Sequence, residues 1–263
     1  SFFKYNSYGN TLIPGLQAES RYFSTIQMKD MKFDKNRKFV GKMFDEISPT
    51  YDRLNHIMSA FQDLRWRRKA VKYLLTINKS YKKIIDLASG SGDFGKEFLK
   101  LKPENIFSVD LSFEMLKINR QKIKSSANFQ IKADSENLPF VNNCFDLCGI
   151  AFGIRNFENL EGCLREINRV LNNNGILFVT EMFKPGSERI LNKSFKFYFE
   201  KLMPKLGNSV SGSSYAYNYL FESVDNFMTV QNFISLAQNS GFKLIKKLNN
   251  FYGIVYSVCF QKT

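Results

Sequence analysis

From residue 83 onward, apolar runs of strand length alternate with segments of helical spacing, and that alternation leaves the chain few architectures. "KKIIDLA", "IFSVDL" (106 to 111), "NFQIKAD" (128 to 134), "CFDLCGIAF" (144 to 152) and "ILFVTEMF" (176 to 183) read as five strands. Helices are predicted near 93 to 101, from the N-cap Ser112 through "FEMLKINRQKI", and over 160 to 171, where "NNNG" ends the helix. Strands alternating with helices predict a parallel, doubly wound sheet covered on both faces. After a helix around 229 to 240, the chain closes with "FKLIKKL" and "YGIVYSVCF" (252 to 260), joined only by "NNF". That join is too short for a parallel crossover, so these two strands must be antiparallel. The class is α/β: a seven-stranded, mostly parallel sheet with an antiparallel C-terminal hairpin.

Two helical segments surround this plan. Residues 40 to 76 carry helical spacing, and Pro49 predicts a break: a helix, a turn, then further helices. Residues 186 to 228 form an aromatic-rich insertion with Phe195, Phe197, Tyr198, Phe199, Tyr215, Tyr217, Tyr219 and Phe221. Aromatics at helical spacing serve either as core or as the wall of a greasy channel. No apolar run approaches the length of a membrane span. Four cysteines without a C-x-x-C pair, and a single histidine, His56, argue against a zinc site, and no metal is expected. The net charge of +14 is dispersed except for one knot, "RWRRK" (65 to 69). The knot suits a solvated helix face or contact with lipid head groups or phosphate. A nucleic-acid role would need a second basic or aromatic platform, and none is found.

The first 28 residues hold one acid, Glu19, among many Ser, Asn, Tyr and Phe. That composition, with Arg21-Tyr22-Phe23 before Ser24, reads as a mitochondrial transit peptide or as a plain disordered leader. "KDMKFDKNRK" then reads as a charged linker, so 1 to 39 divides from a domain over 40 to 263.

The loop after the first strand, "IIDLASGSGDF", contains Gly90, Gly92 and Gly95 as a literal G-x-G-x-x-G. A dinucleotide would set its pyrophosphate on the following helix N-terminus, where Asp93 opposes it. S-adenosylmethionine brings an ammonium and a sulfonium instead, so carboxylates at Asp86 and Asp93 suit it. Asp110, at the end of strand two, is placed for ribose hydroxyls. "ADSENLPF" puts Asp134 beside the adenine amino group, with Leu138 and Phe140 walling the ring. A Rossmann-like sheet ending in an antiparallel hairpin is the plan of the class I methyltransferases.

With "FDEISPTYDRLNHIMS", "DLASGSGDF", "LPFVNNCFD", "FGIRN" and "RVLNNNGILFVTEMFKP" in order, the chain resembles the ubiquinone/menaquinone-biosynthesis C-methyltransferases, their mitochondrial branch in particular. The resemblance runs from about residue 40 to the end. It implies S-adenosylmethionine as cofactor, held by Gly90, Ser91, Gly92, Asp110, Asp134 and Ser135. Ala151 stands where a serine is common in the family, and "NNNG" replaces a Pro-Gly turn. It also implies methylation of a ring carbon of a polyprenylated methoxy-benzoquinol, peripheral contact with the matrix side of the mitochondrial inner membrane, and other coenzyme Q biosynthesis proteins or a second copy as partners. Such a carbon needs a neighbouring hydroxyl deprotonated and the methyl held about 3 Å away in the absence of water. Arg155 and Asn156 are then expected to face the methyl, Arg155 stabilising the phenolate through a polarised water, with Tyr51 closing over the site. The alternative for Arg155 is a structural ion pair. Rival functions are another acceptor such as demethylmenaquinol, a non-catalytic member of a quinone-synthesis complex, or a dinucleotide oxidoreductase.

Overall fold

Seven strands hydrogen-bond in the order β3-β2-β1-β4-β5-β7-β6: β1 (Lys83–Leu87), β2 (Asn105–Asp110), β3 (Asn128–Lys132), β4 (Phe145–Ala151), β5 (Leu171–Met182), β6 (Phe242–Phe251) and β7 (Val255–Lys262). The first five are parallel to one another, while β7 runs antiparallel to both β5 and β6. The strand order reverses between β1 and β4, and such a reversal opens a crevice at the C-terminal ends of the strands. This is a computed structural model, and it describes residues 35–77, 80–185 and 215–263. The leader and most of the aromatic insertion, including Phe195, Phe197, Tyr198 and Phe199, lie outside the described residues.

Alternation along the strands divides the core between two faces. On β1, Ile84 packs with Ala70, Val71, Leu74, Phe94 and Phe98, whereas Ile85 and Leu87 join Leu164, Ile167 and Phe233 on the other side. Seven α-helices are described: α1 (Arg37–Met58), α2 (Gln62–Thr76), α3 (Asp93–Phe98), α4 (Phe113–Lys122), α5 (Leu160–Val170), α6 (Tyr215–Asp225) and α7 (Val230–Asn239). The predicted cap at Ser112 forms, its Oγ accepting from the Met115 amide at 3.1 Å, and Thr229 Oγ1 caps α7 in the same way, accepting from the Asn232 amide.

Four sequence expectations differ from the structure. Pro49 does not break the helix, since α1 runs through it. The carbonyl that Pro49 cannot serve, that of Asp45, accepts instead from Ser48 Oγ at 2.9 Å. The break falls at Ala60 and Phe61, both with positive φ. Second, "NNNG" is not a terminating turn. β5 begins at Leu171, pairs with Phe145, and resumes its register only at Ile176 opposite Leu147, so the asparagines form an irregularity in the strand. Third, α1 starts inside the expected linker, where Asn36 Oδ1 caps it by accepting from the Lys38 amide. Fourth, "NNF" is the end of β6, Asn249 and Phe251 pairing with Tyr256 and Val255, so the turn to β7 is residues 252 to 254.

Candidate active site

The crevice is a pocket of about 880 Å³ including its open mouth, lined from four directions. β1 and its loop supply Leu87 to Ser91, β2 supplies Asp110, the segment after β3 supplies Ala133 to Glu136, and β4 with the turn after it supplies Ala151 to Gly153, Asn156 and Phe157. α1 and α2 complete it with Arg37, Phe44, Tyr51 and Arg67.

The loop geometry follows from two glycines. Gly90, at φ +50, donates its amide to Asp110 Oδ2 at 2.8 Å while the Ser112 amide donates to Oδ1 at 2.9 Å. Both carboxylate oxygens are therefore oriented, and each keeps a lone pair for a hydroxyl. Burial raises the Asp110 pKa, and the Ser112 and Gly90 amides oppose that shift. Gly92, at φ +93, plays another part: a Cβ there would lie 2.8 Å from Asn119 Nδ2, so it packs the loop against α4 rather than lining the pocket. Ala88 also takes a left-handed φ of 52°, and a Cβ on Gly153 would come within 2.5 Å of its own Cβ. The β1 and β4 loops thus touch directly.

Asp86 corrects the expectation that it offers charge to a cationic ligand. It is 1% exposed, does not line the pocket, and its Oδ2 has no hydrogen-bond partner. Burial first, with Asp110 and Asp93 adding to it, drives its pKa well above the usual carboxylate range, against the Gly95 amide and Arg67. A group whose folded pKa exceeds its unfolded value near 3.8 stabilises the fold below that value and loses the contribution as pH climbs through the folded pKa. Asp86→Asn removes this loss, so the melting temperature of the variant relative to wild type should rise as pH climbs from about 4 through the raised folded pKa. A difference that stays flat with pH would show Asp86 ionised in the fold.

Asp93 lines the pocket but is not a bare charge. Burial would raise its pKa, yet Arg67, Lys122 and His56 outweigh this and lower it. Lys122 Nζ sits 2.7 Å from Asp93, 2.6 Å from Asp52 and 2.9 Å from Ser91 Oγ, and Ser91 Oγ also donates to Asp52. Asp52, His56 and Asp93 bring three metal-capable atoms within 4.8 Å of one another, but Lys122 already supplies the positive charge there.

At the opposite end, Asp134 accepts from Arg37 and from the Glu136 amide at 2.9 Å. Arg37 also reaches Glu158 at 2.9 Å and Glu136 at 3.3 Å, so the start of α1 crosses the pocket wall. Ser135 lines the pocket, with its hydroxyl turned to Cys163 Sγ at 3.2 Å.

The "FGIRN" pair separates. Asn156 lines the pocket, its Oδ1 accepting from Tyr219 Oη at 3.1 Å, which leaves its amide N–H groups to offer. Arg155 differs from expectation. Its Nη1 donates to Glu181 at 2.6 Å and to the Phe152 carbonyl at 2.8 Å, and its Nε to Ser223 at 3.1 Å. It is absent from the lining, held as the structural ion pair. Tyr51 lines the pocket beside Phe44, and burial, first among the causes, raises its pKa, so it stays a neutral phenol.

Sequence reasoning missed Arg67. Inside the basic knot it is 6% exposed, donates to Asp63 at 2.7 Å, stacks 5.0 Å from the Phe152 ring centroid, and lines the pocket with its Nε unpartnered. Only its spacing from Asp63, one helical turn back, was a signal.

The comparisons agree with this architecture. The model of the ubiE/COQ5 methyltransferase family matches residues 28–261. Demethylmenaquinone methyltransferase of Thermotoga maritima is 36% identical over 80% of this chain and 90% of its own, and that of Thermus thermophilus is 38% identical over 80% and 95%. Ubiquinone/menaquinone biosynthesis C-methyltransferase UbiE of Campylobacter jejuni is 33% identical over 84% of this chain and 95% of its own. Among solved structures, a SAM-dependent methyltransferase of Thermotoga maritima superposes with a TM-score of 0.60 at 21% identity, covering 84% of this chain and 99% of that one. The [4+2]-cyclase SpnF does so at 0.60 and 14%, covering 85% and 94%, so these likenesses speak for the fold alone. The sequence matches speak for more: this chain belongs to the ubiE/COQ5 methyltransferase family, the S-adenosylmethionine-dependent C-methyltransferases of quinone biosynthesis.

Proposed function

We propose that the chain methylates a ring carbon of a polyprenylated methoxy-benzoquinol in ubiquinone biosynthesis. The observation that carries this reading is that one pocket holds both the ribose-type acceptor Asp110 and two neutral hydrogen-bond donors, Tyr51 and Asn156. In this reading the cofactor supplies a sulfonium-bound methyl. Asp110 takes the ribose hydroxyls, Gly90 and Ser91 shape the loop under the methionine part, and Asp134 with the Ser135 backbone faces adenine. Arg67 is the lining cation at the glycine-loop end, and it accounts for the cofactor carboxylate, which Asp93 would otherwise repel.

On the acceptor side, the ring carbon becomes nucleophilic as its neighbouring hydroxyl passes its proton to water at the open mouth of the pocket, and after methylation the proton on that carbon would leave to water and restore the quinol. Tyr51 Oη and Asn156 Nδ2 donate to that oxygen, and donors held in place in this way stabilise developing charge. Arg155 acts one step back: it fixes the Phe152 carbonyl and Glu181, and so the turn that presents Asn156. Ala151 offers no hydroxyl, so any bond at that point comes from the backbone.

A reduced ring is essential, because a quinone has no hydroxyl to ionise. Labelled methyl should pass from S-adenosylmethionine to a chemically reduced methoxy-benzoquinol at least about a hundredfold faster than to its oxidised form. Equal labelling of both forms would overturn the mechanism. A second reading, demethylmenaquinol as acceptor, draws on the names of the Thermotoga and Thermus relatives. Running both quinols side by side decides between them by kcat/KM.

The acid-poor leader supports a place in the mitochondrion, on the matrix side of the inner membrane. There the isoprenoid tail of the acceptor stays in the bilayer, and other coenzyme Q biosynthesis proteins or a second copy of the chain are the partners in this reading. No described helix is long and apolar enough to cross a membrane.

A further inference from the structure

Three features meet at the C-terminal edge of the sheet, beside the pocket. The first is the β6–β7 turn. Val255 pairs with Met182 at the end of β5, and the Phe183 amide donates to the Ile254 carbonyl at 2.8 Å, which places the turn level with the strand ends. Its Phe251 and Tyr252 are 42% and 67% exposed. The second is the beginning of α2. Tyr81 Oη, just before β1, donates to the Leu74 carbonyl in the last part of α2, so α2 starts near the edge where β1 ends. Phe61, at that start, is 56% exposed. The third is a continuous run of rings: Phe152 in the pocket wall lies 5.9 Å from Trp66, Trp66 lies 6.1 Å from Phe251, and Phe251 lies 4.9 Å from Tyr252.

Charge on these elements has one sign. Arg65, Arg68, Lys69 and Lys72 of α2 are exposed, while its single acid, Asp63, is buried. Residues 244 to 257, from the middle of β6 through the turn, contain Lys246 and Lys247 and no acid; Lys243 and Lys262 lie at the far end of the hairpin. A protein partner would leave the polarity of the patch open. A bilayer interface with anionic head groups matches both parts of it, since aromatic rings settle at the head-group level and exposed Lys and Arg are attracted to the surface potential.

We propose that the β6–β7 turn and the exposed side of α2 are the surface by which the protein rests on an anionic bilayer, and that the ring series from Phe152 to Tyr252 is the path along which the apolar tail of the acceptor leaves the pocket. The second half of this statement rests on the proposed quinol acceptor; the first does not. Docked this way, the pocket opens toward the lipid, and the tail need never cross water.

The test uses the full chain with phosphatidylcholine vesicles, with and without about one-third anionic phospholipid. Wild type should sediment with the anionic vesicles and lose at least about tenfold in partition between low and 0.5 M salt. The double variants Phe251→Ser/Tyr252→Ser and Arg65→Glu/Lys69→Glu should each lower that partition about tenfold or more. Both should bind S-adenosylmethionine and methylate a tailless methoxy-benzoquinol as wild type does. With a long-tailed quinol delivered in vesicles, their turnover should fall in step with partition. Wild type that ignores anionic vesicles, or double variants that partition like wild type, would overturn the surface. Normal vesicle binding without methylation of any quinol would overturn the proposed acceptor and leave the surface standing.

Discussion

Arg155→Ala is expected to unfold this protein about 10 °C below wild type, before any question of catalysis arises. Glu181 is 0% exposed, and Arg155 Nη1 is its charged partner at 2.6 Å. Removing the guanidinium leaves a buried carboxylate with the amides of Met182 at 2.7 Å and Arg155 at 3.3 Å as its hydrogen-bond donors. Breaking one side of a buried pair costs about 3–5 kcal/mol. In a domain of this size each kcal/mol moves the melting temperature by about 2–4 °C. Lys35 softens the effect: burial first and Arg155 next lower its pKa, while Glu181 acts against both, so it stands within electrostatic reach of that carboxylate. The paired replacement Arg155→Met/Glu181→Leu removes both charges at once and should recover most of the loss.

Activity then separates positioning from chemistry. If Arg155 acts only by holding Phe152 and Asn156 in place, the stabilised double variant should bind S-adenosylmethionine normally and lose kcat in part, with the pH profile of turnover unshifted. A melting temperature for Arg155→Ala within a degree or two of wild type would mean that Glu181 does not depend on it, and the positioning account would fall.

How Arg155 was misplaced says what a sequence conveys. "FGIRN" marks the turn after β4 correctly, because a strand followed by glycine and a polar pair is a local pattern. Which of two adjacent side chains faces the crevice depends on Glu181 and Ser223, 26 and 68 residues away, and no local pattern encodes them. The same holds for Arg37, whose carboxylate partners stand 97 to 121 residues on, and for Lys122, which joins Asp52 of α1 to the glycine loop. Residues of α1 and α2 read as amphipathic helix and basic knot, and only the one-turn spacing from Asp63 set Arg67 apart from its exposed neighbours. The strands, by contrast, were largely legible, since apolar runs mark those buried on both faces and a join of a few residues fixes the antiparallel pair, although Asn249 to Phe251 end β6 instead of joining it to β7 and β5 starts early, at Leu171. Pro49 was misread for an equally physical reason: its cost to a helix is a missing donor and an orphaned carbonyl, and Ser48 satisfies that carbonyl. Asp110 does line the crevice where the sequence placed it, because a strand end is a local feature.

That makes Asp110 the residue whose replacement should cost the most cofactor affinity. In Asp110→Asn one oxygen becomes an NH2 group, which then faces the amide of either Gly90 or Ser112, both donors at 2.8 and 2.9 Å in the wild type. Donor meets donor, the loop must shift, and one acceptor for the ribose diol is gone. A buried donor left unpaired costs about 1–3 kcal/mol, and losing a hydrogen bond to a charged acceptor costs a similar amount. Together they amount to about 3 kcal/mol, a rise in the dissociation constant for S-adenosylmethionine of about a hundredfold. Calorimetric titration at neutral pH measures this directly. The pH dependence gives an independent check: burial raises the Asp110 pKa, and its protonated form accepts fewer bonds, so wild-type affinity should weaken as pH falls through that raised value. The asparagine variant has no such proton to gain, and its affinity should be flat over the same range. An unchanged dissociation constant, or a variant that weakens with acid as the wild type does, would move the ribose away from Asp110 and take the orientation of the cofactor in this pocket with it.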